Sequence, residues 1–201
     1  MHSIHIYIAT ISQFSNKEIK HLNNAYMQIT SSNNCNKLIK QKCASLNLLY
    51  YICNELKLDK DIKNYYITSN NKPKNKHFNF SISHSDELIA IAISENINVG
   101  IDIQKIKKIN NLDKFLNKII NTNESISSKE NNNDIINLFS RKESSFKLLN
   151  LKHFNPTTIN TNDFFHTTKT IKFNNKEFIL NLSTELKQEN IFFHTLYNEN
   201  N

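Results

Sequence analysis

A carboxylate and an amide alternate along a predicted strand in the segment GIDIQ (100–104). Side chains of a strand point alternately to its two faces, so Asp102 and Gln104 share the face opposite Ile101, about 7 Å apart along the strand. Asp is disfavoured inside strands, and Gly100 indicates a close approach by another backbone or a ligand. The alternative interpretation is the exposed polar face of a half-buried strand.

A second pair of charged residues lies in the segment FSRKESSFK (139–147), within a predicted helix. Glu143 and Lys147 are four residues apart and therefore lie on one face of that helix. A surface ion pair, which would contribute a few tenths of a kcal/mol, is the alternative interpretation.

Hydroxyls and an imidazole follow one another in the segment SISHS (81–85). Ser83, His84 and Ser85 stand at a strand end, where side chains and backbone N–H groups can form a corner that binds anions. The segment NKPKNKH (71–77), just upstream, adds Lys72 and further basic residues. A structural histidine and a solvated loop are the corresponding alternatives.

Hydrophobic periodicity predicts the elements that position these residues. Apolar steps of three and four residues predict amphipathic helices, and alternation predicts strands. The expected helices are 37–56, 111–121 and 134–150, the last capped by Asp134 or Asn133 and with an apolar stripe through Ile135, Leu138/Phe139, Phe146 and Leu149. The expected strands are 4–11, 78–83, 88–94, 97–103, 169–173, 176–182 and 191–197, with turns at 95–96 and 174–175.

The order of these elements predicts an α+β fold in a single domain, 1–201. It is built of two similar halves, about 1–95 and 96–201, each with a long helix packed on an antiparallel sheet. The tail after Asn150 is expected to complete the second sheet. The length favours a monomer.

The composition is that of a folded protein with a basic surface. The formal net charge is +7, from 25 Lys+Arg against 18 Asp+Glu. Such a surface attracts anions, but the basic residues are scattered, and we expect no nucleic-acid partner. Three cysteines without metal-ligand spacing favour a reduced, cytoplasmic compartment. No secretory signal and no apolar run long enough to span a membrane are seen in the sequence, so no membrane association is expected.

Taken in order, the segments KP, FNFSISHS, VGIDIQ and FSRKESSFK resemble motifs of the 4′-phosphopantetheinyl transferases, in particular the larger, pseudo-dimeric Sfp type. The separation of Asp102 and Glu143, 143 − 102 = 41 residues, fits that family, and Glu124 stands where its members carry a glutamate. The resemblance covers about residues 72–150, with weaker agreement in 37–56. Phe139 replaces the usual tryptophan.

The resemblance implies a Mg²⁺-dependent transfer of the phosphopantetheine arm of coenzyme A to a serine of an acyl or peptidyl carrier protein, releasing 3′,5′-ADP. Asp102 and Glu143 would hold the metal, with Gln104 as a third ligand. Lys147 would neutralise or protonate the leaving 3′,5′-ADP. Glu143 or a metal-held water would take the proton of the carrier serine.

The resemblance also implies contacts with coenzyme A. Ser83 and His84 would contact its phosphates, and Lys72 the region of the 3′-phosphate. Lys40 and Lys42 are the nearest substitutes for the arginines that the family usually places in the first long helix. Since lysine lacks the bidentate guanidinium, lysines at these positions would bind the phosphate less tightly than arginines.

Gln104 marks the main departure, because many family members carry a second metal-binding glutamate there. An amide oxygen can ligate Mg²⁺ but brings no charge. This departure keeps an alternative function open: a catalytically degenerate homologue that binds coenzyme A or a carrier protein without transfer. A basic domain that binds nucleic acid is a third interpretation, which rests on charge only and predicts steeply salt-dependent binding.

Overall fold

The computed structural model describes residues 3–15, 37–58, 66–67, 73–124, 131–187 and 190–197. Lys72, predicted to bind phosphate, and Cys35 lie outside these residues. No helix within the described ranges is both long and apolar enough to cross a membrane.

Four helices, nine strands and two short 3₁₀ turns make up the described part of the chain. The helices are α1 (Ile11–Ser15), α2 (Lys37–Glu55), α3 (Leu112–Ile119) and α4 (Asn132–Leu149), and the 3₁₀ turns are Pro156–Thr158 and Thr161–Asp163. The strands are β1 (Ile4–Thr10), β2 (Tyr66–Ile67), β3 (Pro73–Lys74), β4 (Asn79–Ser85), β5 (Leu88–Ser94), β6 (Gly100–Lys105), β7 (Phe165–Phe173), β8 (Lys176–Thr184) and β9 (Ile191–Thr195). The predicted α+β class is confirmed.

The first sheet has the strand order β4-β5-β1-β9, and β2 and β3 form a separate two-stranded ladder. β5 pairs antiparallel with both β4 and β1, whereas β9 runs parallel to β1. Every residue of β5 is buried, because both faces of this sheet are covered. One face packs against α2 through Ile89, Ile91 and Ile93, and the other faces the second sheet through Leu88, Ala90 and Ala92.

The second sheet has the order β6-β8-β7, and all its pairs are antiparallel. β7 and β8 are joined by Asn174 and Asn175, whose φ angles are 48° and 57°. Two adjacent residues with positive φ are typical of a tight hairpin turn, for which Asn is well suited. The predicted turn at 174–175 is therefore confirmed.

Apolar side chains from the facing strands form a core between the two sheets, to which β1, β5, β6, β7 and β8 all contribute. Helix α2 covers the outer face of the first sheet, and α4 packs on β6 and β8 of the second. The layers thus run helix, sheet, sheet, helix.

The last strand corrects one expectation about the tail. β7 and β8 complete the second sheet as predicted, but β9 joins the first sheet beside β1. Its Phe193 and Ile191 pack against the core between the sheets, and His194 stacks on Tyr7 with ring centroids 4.3 Å apart. The division into similar halves at 95/96 stays a prediction.

Helix α4 differs in two details from its predicted form. Its N-cap is Asn131, whose side chain accepts a hydrogen bond from the N–H of Asn133, so neither Asn133 nor Asp134 caps the helix. Leu149, expected in the apolar stripe, is 41% exposed, and Leu148 is buried instead. Three serines of the helix, Ser140, Ser144 and Ser145, are also buried.

Gly100 shows how close that approach is. A Cβ added there would lie 1.9 Å from the carbonyl oxygen of Ser144 and 2.6 Å from the N of Leu148. Any other residue at this position would push helix and strand apart, which accounts for the only glycine in the sequence. The close approach expected at Gly100, by another backbone or by a ligand, is therefore an approach by the backbone of α4.

Candidate active site

Side-chain hydrogen bonds join the two sheets along one edge. β4 and β6 run side by side, and the hydroxyls of Ser81, Ser83 and Ser85 accept hydrogen bonds from successive outward N–H groups of β6. The donors are the N–H groups of Ile101 (3.0 Å), Ile103 (3.3 Å) and Lys105 (2.8 Å). The serine hydroxyls on alternate residues of β4 thereby accept the hydrogen bonds that the edge N–H groups of β6 donate. We call these three residues the serine seam.

Asp102 lies on β6 beside this seam and is 2% exposed. Its Oδ1 accepts hydrogen bonds from Ser83 Oγ at 2.8 Å and from Lys147 Nζ at 2.9 Å. Its Oδ2 accepts one from the amide nitrogen of Gln104 at 2.9 Å. A buried carboxylate requires such partners, because desolvation of an unpaired charge is costly. The structure thus brings together four of the predicted site residues.

Helix α4 supplies the cation of this group. Lys147 also donates to the carbonyl oxygen of Ile101 at 3.0 Å, and its side chain is 22% exposed. Glu143 lies one helical turn before Lys147 on the same face and is half-buried. The close approach at Gly100 brings this face of the helix against β6.

His84 ends the polar group on the side of the first sheet. Its Nε2 lies 2.6 Å from Ser45 Oγ, which in turn donates to the carbonyl of Gln41 on α2. Burial, followed by the positive charge of Lys147, lowers the pKa of His84 to about 4, although a hydrogen bond with the backbone of Gln41 acts in the opposite direction. His84 is therefore a neutral imidazole near pH 7. Because Ser45 gives its single proton to Gln41, Nε2 of His84 donates to Ser45, and Nδ1 can only accept a hydrogen bond.

The other predicted phosphate-binding residues lie further out. Lys40 and Lys42 are exposed on α2. Lys40 lines a cavity of about 580 Å³ at the Asp86 end of β4, and a cavity of about 240 Å³ at the other end is lined by residues that include Lys74, Phe146 and Lys147. His84 and the seam thus stand between two concave surfaces.

A metal ion at this point would rely on a mixed ligand set. In the described ranges, no group of three or more His, Cys, Asp or Glu side chains could hold a metal. Asp102 already holds one cation, the ammonium of Lys147, and the amide of Gln104 contacts its Oδ2. Glu143 offers further oxygens from the helix turn before Lys147. Such hard oxygen donors fit Mg²⁺, which commonly takes only one or two carboxylates and completes its shell with water and substrate phosphate.

A buried ion pair on the far side of α4 was not predicted as part of any site. Lys142, fully buried, lies 2.6 Å from Glu124 Oε2. Glu124 also accepts hydrogen bonds from the N–H of Asn121 and from both the N–H and the hydroxyl of Thr161. Burial would raise the pKa of Glu124, but the hydrogen bonds from Lys142 and these donors hold it below its usual value. The position of Glu124 was noted in the sequence, but its partner was not.

A half-buried histidine completes the polar layer behind α4. His166 contacts the carbonyl of Thr161 through Nε2 at 3.0 Å and Ser183 Oγ through Nδ1 at 2.9 Å, and Ser183 lies 2.6 Å from Ser144. Burial is the main cause that lowers the pKa of His166 to about 4. The alternating sequence of β7 did not indicate that His166 would be removed from solvent in this way.

Comparison with known proteins bears on the second half of the chain. No curated protein matches the sequence. Residues 98–195, just under half of the chain, match the family model described as the 4′-phosphopantetheinyl transferase superfamily. Asp102, Gln104, Glu143 and Lys147 all fall inside this match, whereas the seam serines and His84 precede it. The segment 98–195, which carries the acidic and basic residues of the candidate site, is thus similar to the 4′-phosphopantetheinyl transferase superfamily.

Proposed function

We propose that this protein transfers the 4′-phosphopantetheine group of coenzyme A to a serine hydroxyl of an acyl or peptidyl carrier protein. The observation that carries the proposal is the contact of Asp102 with Lys147 at 2.9 Å, which unites the strand motif and the helix motif within the matched segment. Transfer of this group requires charge neutralisation around a pyrophosphate. The carboxylate of Asp102 can hold a cation, and the ammonium of Lys147 is itself positively charged.

The reaction forms one phosphorus–oxygen bond and breaks another. The carrier serine oxygen attacks the β-phosphorus of coenzyme A, and the bond to the 3′,5′-ADP oxygen breaks. Glu143 takes the proton of the serine hydroxyl, and Lys147 neutralises the charge that develops on the leaving phosphate. The imidazole of His84 would line the phosphate site without adding charge, while Lys40, Lys42 and Lys72 attract the phosphate charge.

Asp102, Glu143 and Gln104 would hold a Mg²⁺ ion, which supplies positive charge to the pyrophosphate when bound. The amide of Gln104 directs its nitrogen to Asp102, so its oxygen faces away from that carboxylate.

The carrier is the proposed protein partner. A formal net charge of +7 would speed association with an acidic carrier through complementary charge. We further propose the larger, pseudo-dimeric Sfp type, a monomer of two similar halves, and a cytoplasmic location. The 201-residue length and the two layered sheets support this arrangement.

Intact-protein mass spectrometry tests the proposal. An apo carrier protein is incubated with this protein, coenzyme A and Mg²⁺, and we expect a mass gain of one phosphopantetheine arm. Asp102→Ala, Glu143→Gln and EDTA should each abolish the gain. Glu177→Gln, which removes a carboxylate paired with Lys172 on the surface, should leave it unchanged.

Absence of a mass gain with fatty-acid, polyketide and peptide carriers would overturn the proposed transfer. Calorimetry with coenzyme A would then decide on the alternative, a homologue that binds coenzyme A or carrier without transfer. The amide in place of a charged ligand at Gln104 is the observation that favours this second candidate.

A further inference from the structure

Of the three serines in the seam, Ser83 has a contact that distinguishes it from the other two within the described part of the chain. Each of them accepts a hydrogen bond from an N–H of β6, but the hydroxyl of Ser83 also reaches the carboxylate of Asp102, at 2.8 Å. Ser83 is 4% exposed, and its side chain points toward β6. The contact joins the first sheet directly to the candidate site.

The direction of these two hydrogen bonds is fixed by chemistry. A serine hydroxyl carries a single proton and can accept through its lone pairs. Since the N–H of Ile103 can only donate, Ser83 accepts from it. Since an ionised carboxylate can only accept, the proton of Ser83 goes to Asp102. Its donor capacity is then fully used, and none is left for a phosphate oxygen.

We propose that Ser83 is a positioning residue for Asp102 and not a contact of coenzyme A, contrary to what the family resemblance implies for it. This inference rests on the proposed function and deepens it. Ser83 holds Oδ1 of Asp102 on the side of the seam, while Lys147 approaches the same oxygen from α4. With Gln104 on Oδ2, the carboxylate is held in one orientation before any ligand arrives.

The seam supplies its own controls for this role. Ser83→Ala removes the acceptor of one β6 N–H and also the donor to Asp102. Ser81→Ala and Ser85→Ala each remove only the acceptor of a neighbouring β6 N–H. Any effect that Ser83→Ala shows beyond those of the two controls belongs to its contact with Asp102.

Two binding measurements on the full chain separate metal binding from coenzyme A binding. Mn²⁺, used as a paramagnetic probe for the Mg²⁺ site, is titrated in the absence of coenzyme A, and coenzyme A is titrated calorimetrically in EDTA. We expect Ser83→Ala to weaken Mn²⁺ binding about tenfold, the usual effect of losing an outer partner of a metal ligand. Coenzyme A binding in EDTA should stay within twofold of that of the parent protein, and both alanine controls should leave both affinities unchanged.

Thermal unfolding verifies that each variant is folded, and Ser83→Cys serves if Ser83→Ala is not. The thiol fills a similar volume but is a weak donor, so it should also weaken Mn²⁺ binding. Weaker coenzyme A binding in EDTA with unchanged Mn²⁺ binding would overturn the proposal in favour of a ligand contact. Equal losses in Ser83→Ala and Ser81→Ala would also overturn it, because they would indicate a purely structural seam.

Asp102→Ala separates this inference from the proposed function. If Asp102→Ala leaves Mn²⁺ binding intact, the metal assignment is wrong and the role of Ser83 is overturned with it. If Mn²⁺ binding depends on both residues but no carrier gains mass, the proposed transfer fails while the role of Ser83 stands.

Discussion

Loss of the ammonium of Lys142 should be among the most damaging single changes in this protein. Its side chain is 0% exposed and that of Glu124 is 2% exposed. In Lys142→Met, the carboxylate of Glu124 would keep only the neutral donors of Asn121 and Thr161, and the carbonyl of Ile159 would lose its bond to Lys142. Breaking a buried ion pair on one side costs about 3–5 kcal/mol of unfolding free energy.

Urea unfolding followed by circular dichroism measures this loss, since the chain has no tryptophan for fluorescence. For a chain of this size, the expected loss corresponds to a fall in melting temperature of about 6–20 °C. Lys172→Met is the matched control: that side chain is 80% exposed, and its ion pair with Glu177 at 3.5 Å should contribute less than about 1 kcal/mol.

A double substitution completes the test. Adding Glu124→Gln to Lys142→Met removes the uncompensated charge and should restore about 2 kcal/mol of the loss, a coupling in the range found for contacting residues. The reasoning is refuted if Lys142→Met is as mild as Lys172→Met, or if the second substitution adds its own loss without any recovery.

Two further predictions concern charge at the site and behind it. Gln104→Glu should strengthen Mn²⁺ binding about tenfold, about 1.4 kcal/mol, because it adds a negative charge beside Asp102; an unchanged Mn²⁺ titration would contradict a role for this position in metal binding. His166, with a folded-state pKa of about 4 against the ordinary 6.5, contributes stability that is complete above pH 6.5 and is lost as pH falls toward 4. Its share of the loss in unfolding free energy between pH 7 and pH 5 is about 2 kcal/mol. In urea unfolding at both pH values, the stability of His166→Asn should therefore fall by that much less than the stability of the parent protein. An equal fall in both proteins would contradict the assignment of this loss to His166.

Local patterns were sufficient to predict most of the elements and the strand and helix of the candidate site. Alternation in β4, β5 and β6 is visible within six or seven residues, and the spacing of Glu143 and Lys147 defines one helix face without tertiary information. The contact of Asp102 with Lys147 follows from the small residues that let α4 approach β6. Of these, Gly100 was recognised in the sequence as a point of close approach.

The remaining features depend on packing between distant segments. The sequence around Ser83 predicts a strand end that could bind an anion. The contact of its hydroxyl with Asp102 depends on the placement of β4 beside β6, which the sequence does not indicate. Lys142 has the sequence context of an exposed helical lysine, and its burial results from the turn near Thr161. The alternation of β9 predicts a strand, but an alternating pattern carries no information on which sheet receives it.

The position of β9 has a consequence for how the chain acquires its structure. His5 pairs with Phe192 across 192 − 5 = 187 residues of sequence, so the first sheet joins the first and the last of the described strands. Contacts of such separation form late, because a long loop must close before they contribute. During synthesis, β1 therefore presents an open edge until residue 195 has emerged from the ribosome, and an open strand edge invites pairing with other chains. Removal of the segment from Ile191 onward would make that transient, association-prone edge permanent.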